Sequence, residues 1–162
     1  MPQTKGYSGA QILLHWIIAV LILLQFLFNE PIGAGFRAMM RGEVPVFDIS
    51  IWAHIAAGIV ILALVVWRLT LRIRRGVPPV PEGARALKLA AHIGHWVLYA
   101  LMVLLPISGL AAWFGGIGAA GNAHSLMTNL LLIVVGVHVL AALWHQFWLK
   151  DRLLLRMMRP DA

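Results

Sequence analysis

The chain has 162 residues, 61% of them hydrophobic and 12% charged, with a mean hydropathy of +0.86. These values exclude an ordinary soluble domain and indicate a polytopic membrane protein of one compact unit, too short for two. The absence of cysteine excludes disulfides, iron–sulfur clusters, thiolate metal sites and covalent c-type haem attachment, and the net charge of +7 has to be read by position before any partner is inferred from it.

Four segments are long enough to span, since about 20 apolar residues cross a hydrocarbon layer of about 30 Å. The first covers about 8–28 (SGAQILLHWIIAVLILLQFLF). Residues 12–28 are too long for the apolar part of a signal peptide and no small-residue cleavage motif follows, so this segment is expected to stay as a membrane helix. A mixed polar loop is expected over 29–46, then a second span over about 47–66 (FDISIWAHIAAGIVILALVV). The basic stretch RLTLRIRRGVPPVPEGAR follows, in which VPPVPEG reads as a stiff extended connector. The third span covers about 86–114 and contains Pro106, where a kink is expected. A short glycine-rich loop over 115–121 leads to the fourth span, about 122–148. The expected fold class is an all-α four-helix membrane bundle, with the whole chain, 1–162, as one transmembrane domain.

Orientation follows from the cations. Lys5, Arg68, Arg72, Arg74, Arg75, Arg85, Lys88, Lys150, Arg152, Arg156 and Arg159 fall on one side of this layout, and only Arg37 and Arg41 on the other. The positive-inside rule then places both termini and the basic middle loop in the cytoplasm. Topology and contact with anionic lipid account for the positive charge, so nucleic acid is not an expected partner. Trp16, Trp52, Trp96, Trp113, Trp144 and Trp148 lie near the span ends, as an interfacial aromatic belt would.

Seven histidines fall within these spans. His54 and His124 belong to the outer half; His15, His92, His95, His138 and His145 belong to the inner half. His124 and His138 are 14 residues apart, which on a helix puts them within about 40° of one face and about 21 Å apart along the axis. They share a face but not a site. Every acidic residue lies in a loop, a tail or a helix end, so a carboxylate-assisted metal cage is excluded. Two stacked sites, each of two neutral imidazoles, match bis-histidine haem b, and imidazole is easier to keep in lipid than a charged group. Small residues one turn beyond each histidine, Ala19, Gly58, Thr128 and Ala142, leave room for a flat ligand, or for close helix packing. The leaflet argument pairs His54 with His124. It assigns His138 to the inner site and leaves His15, His92 and His95 open as its partner.

The stretches LLHWIIA, WAHIAAGIVILALVVWRLTLR, AAHIGHWVLYALMVLLPISGL, NAHSLMTN, GVHVLAALWHQFWLKD and LLRMMRP, taken in order over nearly the whole chain, resemble the bacterial cytochrome b561 family. The resemblance implies a four-helix integral membrane protein with two haem b groups that exchanges electrons with the quinone pool, one activity in the family being superoxide oxidation coupled to ubiquinone reduction. It implies His15, His54, His124 and His138 as the haem-iron ligands, with helix four sharing one haem with helix one and the other with helix two. One departure weakens superoxide as the donor: the loop at 115–121 is short and uncharged, whereas superoxide-oxidising relatives have a longer, partly charged one, and anion capture gains from a positive field. Arg68 is a candidate haem-propionate partner, since arginine binds carboxylates bidentately, or a snorkelling topology residue. His92, His95 and His145 are candidates for supporting a ligand or forming a quinone site, with plain packing as the alternative. The competing functions are a membrane subunit linking a periplasmic oxidoreductase to quinone, a histidine-using transporter, and a haem-free scaffold.

Overall fold

The computed structural model describes residues 6–28, 30–45, 48–79 and 85–160. Its helices are α1 (Gly9–Leu27), α2 (Glu30–Met40), α3 (Ile49–Arg75), α4 (Arg85–Gly115) and α5 (Gly118–Trp144), the last running on into a π-helical turn (His145–Leu149). A short 3-10 helix (Leu154–Met157) closes the chain. Four of these, with α5 taken together with its π turn, are long and apolar enough to cross a membrane, as expected.

The helix ends are written locally. Ser8 and Gln11 form a reciprocal capping box at the start of α1, an arrangement that stabilises a helix start by about 1 kcal/mol. Asp48 caps α3 through the Ser50 amide at 2.8 Å, and the Ser50 hydroxyl, with that amide, holds its carboxyl below the usual range. Arg72, Arg74 and Arg75 lie in the last turn of α3, where cations meet the negative end of the helix dipole, and Gly76 ends it at φ 77°. The second predicted span is therefore the apolar part of a longer helix, whose charged last turns cannot be seen by a hydropathy window.

Two loops differ from expectation. The predicted loop over 29–46 contains α2, and the glycine-rich loop shrinks to Gly116 and Ile117 because α5 starts at Gly118. Gly116 makes that tight turn at φ 63°. Pro106 lies inside an unbroken α4. Of the connector VPPVPEG, residues 80–83 lie outside the described residues.

The bundle is sparsely buried. Buried side chains make up 17%, 17%, 22% and 6% of the most apolar windows of the four long helices in turn, so most of the apolar surface faces outward, as lipid requires. Ile18, Ile61, Val65 and Tyr99 form one core cluster, and Leu101, Leu105 and Leu131 a second. α5 packs along α4, α4 on α3, and α3 on α1; α5 makes no comparable packing against α1 or α3. α2 crosses one end of the bundle: a Cβ on Gly35 would come 2.9 Å from Ile51, and one on Gly121 would collide with the Phe36 ring. At the other end the C-terminal segment folds back over the first helix, Trp16 Nε1 donating to the Met157 carbonyl at 2.8 Å. Arg156 there donates to Pro79 O at 2.9 Å.

Candidate functional site

The histidines of α5 face histidines of the neighbouring helices. His124 stands opposite His54 of α3 near the α2 end, with ring centroids 6.3 Å apart. His138 stands opposite His15 of α1 nearer the termini end, also at 6.3 Å. His95 of α4 lies edge-on to His138 at 5.4 Å. His92 is exposed and accepts a hydrogen bond from Trp96 Nε1 at 3.0 Å, one turn along the same helix.

These spacings have a chemical meaning. An imidazole nitrogen lies about 1.2 Å from its ring centre and binds a first-row metal at about 2.0 Å, so two imidazoles on opposite sides of one ion put their centres about 6.4 Å apart. Both 6.3 Å pairs meet that condition; 5.4 Å is too short for it. Among the described residues no cluster of three or more potential metal ligands exists, so the pairs suit an ion whose other ligands come from a macrocycle.

The nitrogens are prepared to match. His124 Nδ1–H donates to the Leu105 carbonyl at 2.9 Å, with Ser108 Oγ 3.2 Å away, which leaves Nε2 with its lone pair outward. His54 Nδ1 is buried and lacks a hydrogen-bond partner. The cavity between His54 and His124 measures about 410 Å³. Its walls are apolar except for the histidines, Gln25, Ser125, Thr128 and Asn129, and include Gly58 and Gly109. A Cβ on Gly109 would come 3.1 Å from the His124 ring. Gln25 Nε2 donates to the His54 carbonyl at 2.9 Å, fixing α3 against α1 beside the ligand. A flat, largely apolar group between two imidazoles, such as haem b, fits this donor set and this space.

At the termini end the neighbours are cationic. Arg68 donates from Nε to Tyr99 Oη at 3.2 Å and from Nη1 to the Gln11 carbonyl. Arg72, one turn on, lies 5.9 Å over the Trp96 ring and 5.8 Å over the Tyr99 ring, an attractive cation–π geometry. Tyr7 completes this small polar pocket. Burial pushes its hydroxyl above the ordinary value of 10 although Arg72 and Arg68 act the other way.

Beyond His138, α5 ends in the π turn, and His145 Nδ1 hydrogen-bonds Asp151 Oδ2. Asp151 Oδ1 also accepts the Leu153 amide at 3.1 Å. Lys150 and Arg152, on either side of Asp151, both have positive φ, 53° and 59°, a cost of order 1–3 kcal/mol each that surrounding contacts must hold.

Sequence reasoning placed the histidines by leaflet but missed Tyr7, Gln11, Arg72, Tyr99 and Asp151 as neighbours of the site. The 68/72 spacing, one helical turn, was the available signal for the arginine pair. The His145–Asp151 contact depends on the left-handed residues at 150 and 152, for which the sequence carries no glycine marker.

A family model for prokaryotic cytochrome b561 matches residues 6–160. The chain is 38% identical to a cytochrome b562 of Cereibacter sphaeroides over 160 residues, covering 99% of each chain. It is 34% identical to a probable superoxide oxidase CybB of Yersinia pestis, over 95% of this chain and 96% of that one. It is 28% identical to cytochrome b561 homolog 1 of Escherichia coli, over 94% and 96% respectively. With four apolar helices and paired intramembrane histidines already in place, these matches make the conclusion direct: the chain belongs to the prokaryotic cytochrome b561 family, membrane cytochromes b of electron transport.

Proposed function

We propose that this protein is a dihaem cytochrome of the bacterial inner membrane that passes single electrons between a donor on the α2 side and membrane quinone near the termini side. The observation that carries the proposal is the pair of 6.3 Å imidazole spacings, one toward each end of α5. His54 with His124 would hold the outer haem, and His15 with His138 the inner one. When bound, each haem iron supplies a reversible one-electron couple. The residues do the rest: Leu105 O orients His124, Gln25 ties α1 to the ligand segment of α3, and the apolar cavity excludes water. Arg68 has its Nη2 hydrogens to offer an inner propionate, its Nε and Nη1 being engaged. The positive-inside distribution supports cytoplasmic termini.

Quinone at the inner side is supported by the His145–Asp151 pair. His145 is seven residues from His138, about 20° off the same face and about 10 Å further along the axis. Reducing a quinone takes two electrons and two protons, and a histidine held by a carboxylate at the aqueous end of the bundle is suited to passing those protons. The purified protein should carry two low-spin haem b per chain, measured by the pyridine haemochrome, and ubiquinol should reduce both in detergent. A ratio of one, or a high-spin spectrum, sinks the dihaem reading. Reduction by dithionite but not by quinol sinks the quinone assignment.

The name of the Yersinia pestis relative makes superoxide the first donor to test. The α2 end offers it a weak field. Arg41 is bound to Glu43 by two hydrogen bonds, at 2.7 and 2.9 Å, which keeps the Glu43 carboxyl below its ordinary range. The turn at Gly116 and Ile117 is uncharged. Superoxide should therefore react more slowly, and with a flatter ionic-strength dependence, than with a relative bearing a cationic outer loop. Pulse radiolysis measures both. Rates near the diffusion limit that fall steeply with salt would refute the expectation.

A further inference from the structure

We infer that Ser108 is a positioning residue for the redox centre at the α2 end. Its hydroxyl oxygen and the Leu105 carbonyl together hold His124 Nδ1–H, restrain the plane of that ring and keep the centre's potential below what the two imidazoles alone would set. The inference rests on the dihaem reading above and adds to it a residue that tunes one of the two haems.

Three contacts meet at one edge of one ring. Ser108 Oγ donates to the Leu105 carbonyl at 2.9 Å. His124 Nδ1 lies 2.9 Å from the same carbonyl and 3.2 Å from Ser108 Oγ. A carbonyl oxygen only accepts, so Nδ1 carries the proton. The Ser108 proton is already given to Leu105, so toward His124 the hydroxyl can only accept. The Nδ1–H is therefore shared between two acceptors three residues apart on α4. Swinging the ring about its Cβ–Cγ bond would carry the N–H away from at least one of them, which restrains the ring plane. Gly109 seats the same edge, since a Cβ there would come 3.1 Å from Cε1 and 3.2 Å from Nδ1.

A serine in an apolar helix commonly bonds back to a carbonyl of its own helix, and that bond alone would give Ser108 a purely local role. The contact with Nδ1 ties it to a ligand on the neighbouring helix. The hydroxyl of Thr128, one turn beyond His124, is engaged elsewhere, donating to the His124 carbonyl at 2.8 Å. The opposing ligand has no such support: His54 Nδ1 is buried without a partner. The two ring planes stand 64° apart, and it is the His124 plane that hydrogen bonds hold.

A hydrogen bond accepted from Nδ1–H makes the imidazole a stronger donor at Nε2. A ferric ion gains more from a stronger donor than a ferrous one, so each such bond lowers the potential. Removing the Ser108 hydroxyl has two opposed effects. The N–H loses one acceptor outright, while the Leu105 carbonyl, freed of one donor, accepts it somewhat better. That oxygen has two lone pairs and already served both donors, so its gain is the smaller effect and the potential rises.

The test is spectroscopic redox titration of the purified haem-loaded protein, with EPR of the oxidised form. Ser108→Ala should raise the potential of the haem that His54→Ala loses, changing its reduced-to-oxidised ratio about threefold, about 28 mV for one electron. The step that survives in His54→Ala should stay in place. Both haems should remain bound and low-spin, while the largest g value of the outer one moves, because it follows the angle between the ring planes. Ser108→Thr keeps the hydroxyl and should restore most of the shift. Ser108→Val has the shape of threonine without the hydroxyl and should behave as alanine does, which a space-filling role would not produce. A shift in the other step, in the opposite direction or in neither step would overturn the inference. So would an unmoved outer g value, equal potentials for the threonine and valine variants, or haem lost from Ser108→Ala at matched yield. A wild-type preparation without two haems, or a His54→Ala protein that keeps both, would instead overturn the dihaem reading beneath it.

Discussion

Alanine at His54 and alanine at His124 are expected to remove the same haem, halving the haem content of the purified chain and leaving an identical residual spectrum in both variants. The two rings face each other across a cavity of about 410 Å³ at a centroid separation of 6.3 Å. Either substitution leaves an iron with one imidazole in a pocket that offers no replacement: its other polar side chains are Gln25, Ser125, Thr128 and Asn129, all weak ligands beside imidazole. The remaining haem is out of reach of the change, because His138 lies about 21 Å along the helix from His124. A loss this large also follows from misfolding, so each variant must insert and purify at comparable yield. Gly109→Val gives an independent check: its Cβ would come 3.1 Å from the His124 ring, and it should weaken the same haem without replacing a ligand. If His54→Ala and His124→Ala lose different haems, the pairing is wrong.

The four spans were legible because lipid imposes a strong rule on sequence, about 20 apolar residues per crossing, and the observed helices obey it. α2 was not legible. It is short, carries Gly33 and Gly35 within eleven residues, and owes its place to tertiary fit, with Gly35 against Ile51 and Trp113 and Phe36 against Gly121. Local propensity argues against such a helix, and only the packed bundle argues for it. The histidine site divides in the same way. Positions along the spans were enough to pair His54 with His124, since they are the only two histidines expected in the outer half. At the inner end five histidines compete, and periodicity places residues around one helix without saying how far its neighbours stand away. That distance is what separates His15 at 6.3 Å from His95 at 5.4 Å. The cationic pocket was hidden for a related reason: Tyr7, Arg72 and Tyr99 come from three separate segments and meet only after the chain has folded.

The inner pair carries the second large expected effect. His15→Ala and His138→Ala should each remove the haem that survives in the outer variants, and His95→Ala should keep both. His95 has a claim by proximity, being nearer to His138 than His15 is. Proximity is the wrong criterion, because an iron between two opposed imidazoles needs their centres about 6.4 Å apart, and at 5.4 Å the rings are in edge contact with no room for it. His95 is also committed elsewhere: its Nδ1–H donates to the Ala91 carbonyl at 2.6 Å, fixing the ring along its own helix. Its position suits supporting His138 or the quinone, so quinol reactivity should fall in His95→Ala while the haem count stays at two. His92→Ala should also keep both haems, since that ring is exposed and bonded to Trp96. Haem quantification on the four variants, at matched yield, decides the matter. If His95→Ala loses a haem while His15→Ala retains two, α4 supplies the inner ligand, and α1 contributes packing alone.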